Sequence, residues 1–134
     1  MSKTGSKRAQ VRVRLEFANG GSLDEADIAL IETVARCRSI LGTSKLMGLS
    51  YRKTWLMADA LNRTFESKVI ETFPGRRGAG AEVTVFGQRL AALFRSIERR
   101  SSTAAAAAVE ELTASLALDR GQQEAAGVAE AYRG

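Results

Sequence analysis

Between Ile40 and Gly87 the chain reads ILGTSKLMGLSYRKTWLMADALNRTFESKVIETFPGRRGAGAEVTVFG, and no other stretch limits its fold so tightly. A short helical pattern (Ile40, Leu41, Leu46, Met47) follows Ser39, whose hydroxyl suits a helix cap. It stops at Gly48, where a tight turn between helices needs a left-handed backbone that glycine adopts without steric cost. Ser50 then caps a further helix to about Thr64 or Phe65, with Thr54, Met57, Ala58, Leu61 and Phe65 facing the preceding helices. Tyr51, Arg52, Lys53, Trp55, Leu56 and Asp59 fall largely on other faces. A strand holding Val69, Ile70 and Phe73, a loop from Pro74 to Gly80, and a return strand from Ala81 to Thr84 complete the segment. Helix, tight turn, helix and a hairpin with a basic tip is the order of a winged helix-turn-helix. The expected class is mainly α with a small β-hairpin (α+β), flanked by an N-terminal strand and a long C-terminal helix.

The flanks are read in the same way. Val11, Val13, Leu15 and Phe17 alternate with Arg12, Arg14 and Glu16, the period of a half-buried strand, and Asn19-Gly20-Gly21 ends it as a turn. Ser22 or Asp24 caps a first helix with Ile28, Ile31, Val34 and Ala35 at helical spacing, ending near Arg38. After Val85, Phe86, Leu90, Leu93, Phe94 and Ile97 line one helical face. The alanine run from Ala104 to Ala108, then Val109, Leu112 and Leu116, predicts a long or twice-broken helix to about Leu118. Its apolar stripe can pack on the same subunit or on a second copy. The expected organisation is a disordered basic tail over 1–10, a winged helix-turn-helix over 11–100, an Ala-rich helix over 101–120 suited to dimerisation, and a flexible tail over 121–134.

Charge is unevenly spread. Residues 1–100 hold 18 basic and 10 acidic side chains, whereas residues 101–134 hold two basic and five acidic ones. Concentrated positive charge favours polyanion partners through phosphate neutralisation and counterion release. With no histidine in the chain, Ser-His and Cys-His pairs are excluded, and one cysteine without histidine cannot build a structural zinc site. Neither a metal nor a cofactor is expected, and the chain is expected not to be an enzyme. Cys37, inside an apolar-periodic segment, reads as a buried inert thiol, which fits a cytoplasmic location. No run of about 18 apolar residues is present, so no membrane span is expected.

The runs GLSYRKTWLMADALN (from Gly48) and FPGRRGAGAEVTVFGQRL (from Phe73) resemble the N-terminal DNA-binding domain of the molybdate-responsive ModE family, a winged helix related to LysR-type regulators. The resemblance covers about Asp27 to Arg100. It is most specific at Gly48-x-Ser50-Tyr51-Arg52-x-x-Trp55, at Leu61-Asn62, and at the glycine-rich wing before Thr84-x-x-Gly87-x-Arg89-Leu90. It implies binding to double-stranded DNA by a homodimer, with the C-terminal helix helping to join subunits. Ser50 to Trp55 would lie at the start of the recognition helix, and Arg76 and Arg77 in the wing. Residues 101–134 show no motif of the family's oxyanion-binding domains, so a stand-alone DNA-binding form without that sensing domain is expected.

The expected function is therefore sequence-specific transcriptional regulation. Arg52 and Lys53 are candidates for guanine edges or phosphate, and Tyr51 and Trp55 for apolar or hydrogen-bonding contacts. Thr43, Ser44 and Lys45 would meet the DNA backbone, and Arg76 and Arg77 would hold flanking phosphates or enter the minor groove. Two alternatives stay open: a winged-helix protein-interaction adaptor docking through Tyr51 and Trp55, and a regulator binding a small oxyanion at a dimer interface.

Overall fold

The computed structural model of the chain describes residues 9–73 and 80–117. The loop arginines Arg76 and Arg77, most of the expected N-terminal tail and the expected tail over 121–134 lie outside the described residues. The elements run β1 (Arg14–Glu16), β2 (Ser22–Asp24), α1 (Glu25–Cys37), α2 (Ile40–Met47), α3 (Tyr51–Thr64), β3 (Ile70–Phe73), β4 (Gly80–Val83) and α4 (Val85–Ala114). The chain divides into two compact units, Arg12–Ser101 and a second that joins the N-terminal residues through Val11 to the chain from Ser102 on.

Caps set the helix boundaries. The Asp24 carboxylate accepts from the Ala26 and Asp27 amides, and Asp27 accepts in return from the Asp24 amide at 3.0 Å. Ser39 Oγ accepts from the Gly42 amide at 2.7 Å, and Ser50 Oγ from the Lys53 amide at 3.0 Å. α1 ends on Arg38 and α2 on Gly48, both in the left-handed region with φ of 58° and 68°. Only the second is a glycine. Arg38 holds its conformation because its carbonyl accepts from the Ala81 amide at 3.0 Å, while Ser39 bridges Gly80 as a fragment of a third strand.

The N-terminal strand is shorter than its alternation suggests. Burial alternates from Val11 to Phe17, but only Arg14–Glu16 pairs, antiparallel to Ser22–Asp24 with Leu15 opposite Leu23. Asn19 shapes the connecting turn by accepting from Gly21, and its amide donates to the Thr64 carbonyl at the end of α3. Asp24 serves both as the last residue of β2 and as the cap of α1.

The core of the larger unit gathers Leu23, Ile28, Ile31 and Val34, Ile40, Leu61, Val69 and Ile70 with Leu90 and Phe94 of α4. Phe17, Phe65 and Phe86 stack edge to face in sequence, with ring centroids 5.6 and 5.5 Å apart. Arg95 reaches from α4 to α1, pairing with Glu25 at 2.6 Å, Glu32 at 2.8 Å and Glu98 at 2.7 Å. The Arg95 guanidinium holds the Glu25 carboxyl below its ordinary range. In α4 the expected stripe is only half used, for Leu90 and Phe94 are buried whereas Leu93 and Ile97 are exposed. The helix is unbroken from Val85 to Ala114, as the high helix propensity of the alanine run allows. Cys37 is half-buried rather than buried, because it is the last residue of α1, at the rim of the core.

The cap of α1 carries a pH dependence. Burial pushes the Asp27 carboxyl up to about 6, reinforced by the Asp24 charge and opposed by the Asp24 amide and Arg14. An acid whose pKa is raised by folding disfavours the folded state once ionised, so this contribution to stability is lost as pH climbs from the ordinary aspartate range through about 6. Asp27→Asn keeps the acceptor without the charge. It is expected to stabilise the protein by on the order of 1 kcal/mol near pH 8, with the gain vanishing near pH 4. Urea unfolding of both proteins at the two pH values checks this, and an equal difference at both would remove the assignment. Glu25 is common to the two proteins and cancels.

Candidate nucleic-acid interface

The surface around the start of α3 is built by the turn at Gly48. The Leu49 amide donates to Ser44 O at 2.9 Å and closes α2, and Ser50 then starts α3 with its own hydroxyl as cap. Thr54, Ala58 and Leu61 are the buried residues of α3, and Thr54 Oγ1 donates back to Ser50 O at 2.9 Å. With 3.6 residues per turn, the side opposite them carries Arg52, Leu56, Asp59 and Arg63, with Tyr51 and Trp55 along one edge and Lys53 along the other.

The expected residues do not all reach solvent. Tyr51, Arg52, Lys53 and Trp55 are exposed, Trp55 at 41%, so the indole is not an ordinary core side chain. Lys45 is exposed on α2. Thr43 and Ser44 are not available, being 0% and 3% exposed. Short as it is, α2 turns both hydroxyls inward, where Ser44 donates to Leu41 O at 2.7 Å and Thr43 Oγ1 has no partner among the described residues. Of the three α2 residues expected at the DNA backbone, Lys45 alone presents its side chain to solvent. Leu56, which was not among the expected contacts, is exposed at 47% on the outward line of α3, one turn after Arg52.

Pairing sorts the cations. Arg14, Arg38, Arg63 and Arg95 form ion pairs, including the one between Arg63 and Asp59 at 3.1 Å. Lys45, Arg52 and Lys53 form none among the described residues, as is also true of Arg36, Lys68, Arg89, Arg99 and Arg100; what distinguishes the three is their shared place around the Gly48 turn.

The β3–β4 hairpin is fixed to α3 by one side chain. Asn62 Oδ1 accepts from the Val69 amide at 2.8 Å and the Ile70 amide at 3.0 Å, while its Nδ2 donates to Ile70 O at 2.8 Å. From the other side Thr84 Oγ1 donates to Lys68 O at 2.6 Å and accepts from the Gly87 amide at 2.9 Å. Gly87 passes directly against Val69 O, where a Cβ has no room. The base of the hairpin is thus held on both flanks, while Arg76 and Arg77, expected between its strands, lie outside the described residues.

Among the described residues no three His, Cys, Asp or Glu side chains gather to hold a metal ion, and no helix is long and apolar enough to cross a membrane.

No family model matches the chain. It is 33% identical over 92 residues to the molybdenum transport protein ModE of Azotobacter vinelandii, spanning 68% of this chain and 34% of the relative. It is 42% identical over 72 residues to the molybdenum-pterin-binding protein MopA of Rhodobacter capsulatus, spanning 53% and 27%. It is 30% identical over 88 residues to the DNA-binding transcriptional dual regulator ModE of Escherichia coli, spanning 65% and 34%. The chain therefore spans between about a quarter and a third of the length of these relatives. Among solved structures, apo MarR of E. coli superposes with a TM-score of 0.52 at 14% identity, over 81% of this chain and 78% of that one. A point mutant of MepR from a multidrug resistant S. aureus clinical isolate superposes with a TM-score of 0.51 at 14% identity, over 83% and 78%. These likenesses establish the winged-helix fold.

Proposed function

We propose, starting from a chain that carries a ModE-like winged-helix domain, that the protein is a sequence-specific DNA-binding transcription regulator. The observation that carries this reading is the cluster at the start of α3, where exposed Tyr51, Arg52, Lys53 and Trp55 stand together and neither cation is paired among the described residues. A major groove about 12 Å wide admits a helix of this kind. Arg52 and Lys53 would meet guanine edges or phosphate, Tyr51 and Trp55 would add apolar and hydrogen-bonding contacts, and Lys45 would meet the backbone beside them. Ser50, already the cap of α3, keeps its hydroxyl proton to offer a phosphate. Arg76 and Arg77 would hold flanking phosphates. Leu112 and Leu116, 70% and 66% exposed near the end of α4, support a homodimer joined through that helix.

Titration of a duplex selected from a random pool, at two salt concentrations, tests the assignment. Arg52→Ala is expected to cost roughly 10- to 100-fold in affinity and to relax the preferred sequence. Lys45→Ala should weaken all sequences alike and flatten the salt dependence by about one charge. Unchanged binding in both variants would remove α2 and α3 from the interface. A second reading, a protein-docking adaptor, draws on the exposed Tyr51, Trp55 and Leu56. Elution from random duplex at low salt would favour the adaptor.

A further inference from the structure

The outward line of α3 carries one side chain that the charge argument leaves unexplained. Leu56 is exposed at 47%, on a row otherwise made of Arg52, Asp59 and Arg63. It stands nearly opposite the buried Thr54, Ala58 and Leu61 and so contributes nothing to the core. Single exposed leucines are common, but this one adjoins Tyr51 and Trp55, so three large apolar side chains stand in water within six positions. On the same row Asp59 pairs with Arg63 one turn further on.

Resting on the DNA-binding reading above, we infer that Leu56 is a specificity-determining residue that recognises the 5-methyl group of a thymine. The major groove offers an apolar side chain one distinctive feature, and that is the thymine C5 methyl. Arg52 and Leu56 are one turn apart on the same face, about 6 Å along the helix axis. Successive bases on a strand rise by about 3.4 Å, so the methyl lies one or two base pairs from the pair that Arg52 meets. Arginine on guanine beside leucine on thymine gives a local code in which one contact is directional and charged and the other depends on shape and desolvation. The protein-docking reading of the same patch makes no demand on a methyl group.

The test uses the full chain and the best duplex selected from a random pool, with each thymine replaced in turn by deoxyuridine, which removes only the methyl. For the unsubstituted protein, one position in each half-site is expected to lose about threefold to tenfold in affinity. Leu56→Ala should bind the thymine and deoxyuridine duplexes equally, both at the level of the unsubstituted protein on deoxyuridine. Leu56→Met, which retains an apolar reach, should restore part of the difference. Because Leu56 is exposed, the urea midpoints of both variants should match that of the unsubstituted protein. A silent deoxyuridine scan, or a penalty that survives Leu56→Ala, overturns the assignment while leaving DNA binding intact. Failure of the unsubstituted protein to bind any duplex in a salt-dependent way overturns the DNA reading itself, and this assignment with it.

Discussion

Gly87→Ala is expected to destabilise the protein by on the order of 3 kcal/mol. The added methyl would meet Val69 O, and it would also lie 2.7 Å from Val83 Cγ1. Neither neighbour is free to retreat. Val69 O accepts from the Thr84 amide at 3.0 Å, and its residue is fully buried. Val83 is the last residue of β4, paired across the hairpin with Ile70. Relief therefore requires α4 and the hairpin to separate, which breaks the Gly87–Thr84 and Thr84–Lys68 hydrogen bonds together. Urea unfolding measures the loss. A midpoint within experimental error of the unsubstituted protein would mean that this approach is looser than described.

Asn62→Ala comes next, with an expected cost of about 3 kcal/mol. The substitution deletes three hydrogen bonds and leaves the amides of Val69 and Ile70, two residues at 0% and 1% exposure, without their acceptor. An unsatisfied buried amide costs more than a net hydrogen bond is worth, so the two orphaned donors dominate. Asn62→Asp keeps the acceptor for the two amides but sets a carboxylate oxygen against Ile70 O in place of the donor, so it is expected to recover only part of the loss. Hydrogen exchange adds a local readout: the Val69 and Ile70 amides should exchange faster in Asn62→Ala than the α1 amides do. Uniform acceleration across the domain would show a general loss of stability with no special role in seating the hairpin.

How much of this was legible beforehand depends on what encodes each feature. Helix boundaries are written locally, in Asp24, Ser39, Gly48 and Ser50, and caps at these positions define α1 to α3. β2 is three residues long, too short to show alternation, and its last residue also caps a helix, so the sequence reads as a cap alone. Thr43 and Ser44 mislead because hydroxyl residues near a turn suggest solvent; both fall on the same narrow face of α2 as Ile40, and that face is the buried one. Asn62 belongs to a recognisable motif, yet its role is set by backbone that arrives seven and eight residues later, which no periodicity reveals. For Leu56 the outward position was readable, and its exposure gives that position a meaning.

The stacked rings of Phe17, Phe65 and Phe86 come from the first hairpin, the end of α3 and the start of α4. The cluster is complete only when the loops between these three segments have closed. A nascent chain that has emitted only the first three helices lacks one of the three rings. On the DNA-binding reading proposed above, the surface that meets a duplex would be completed only when α4 is seated, and a half-made domain would have little means of occupying an operator.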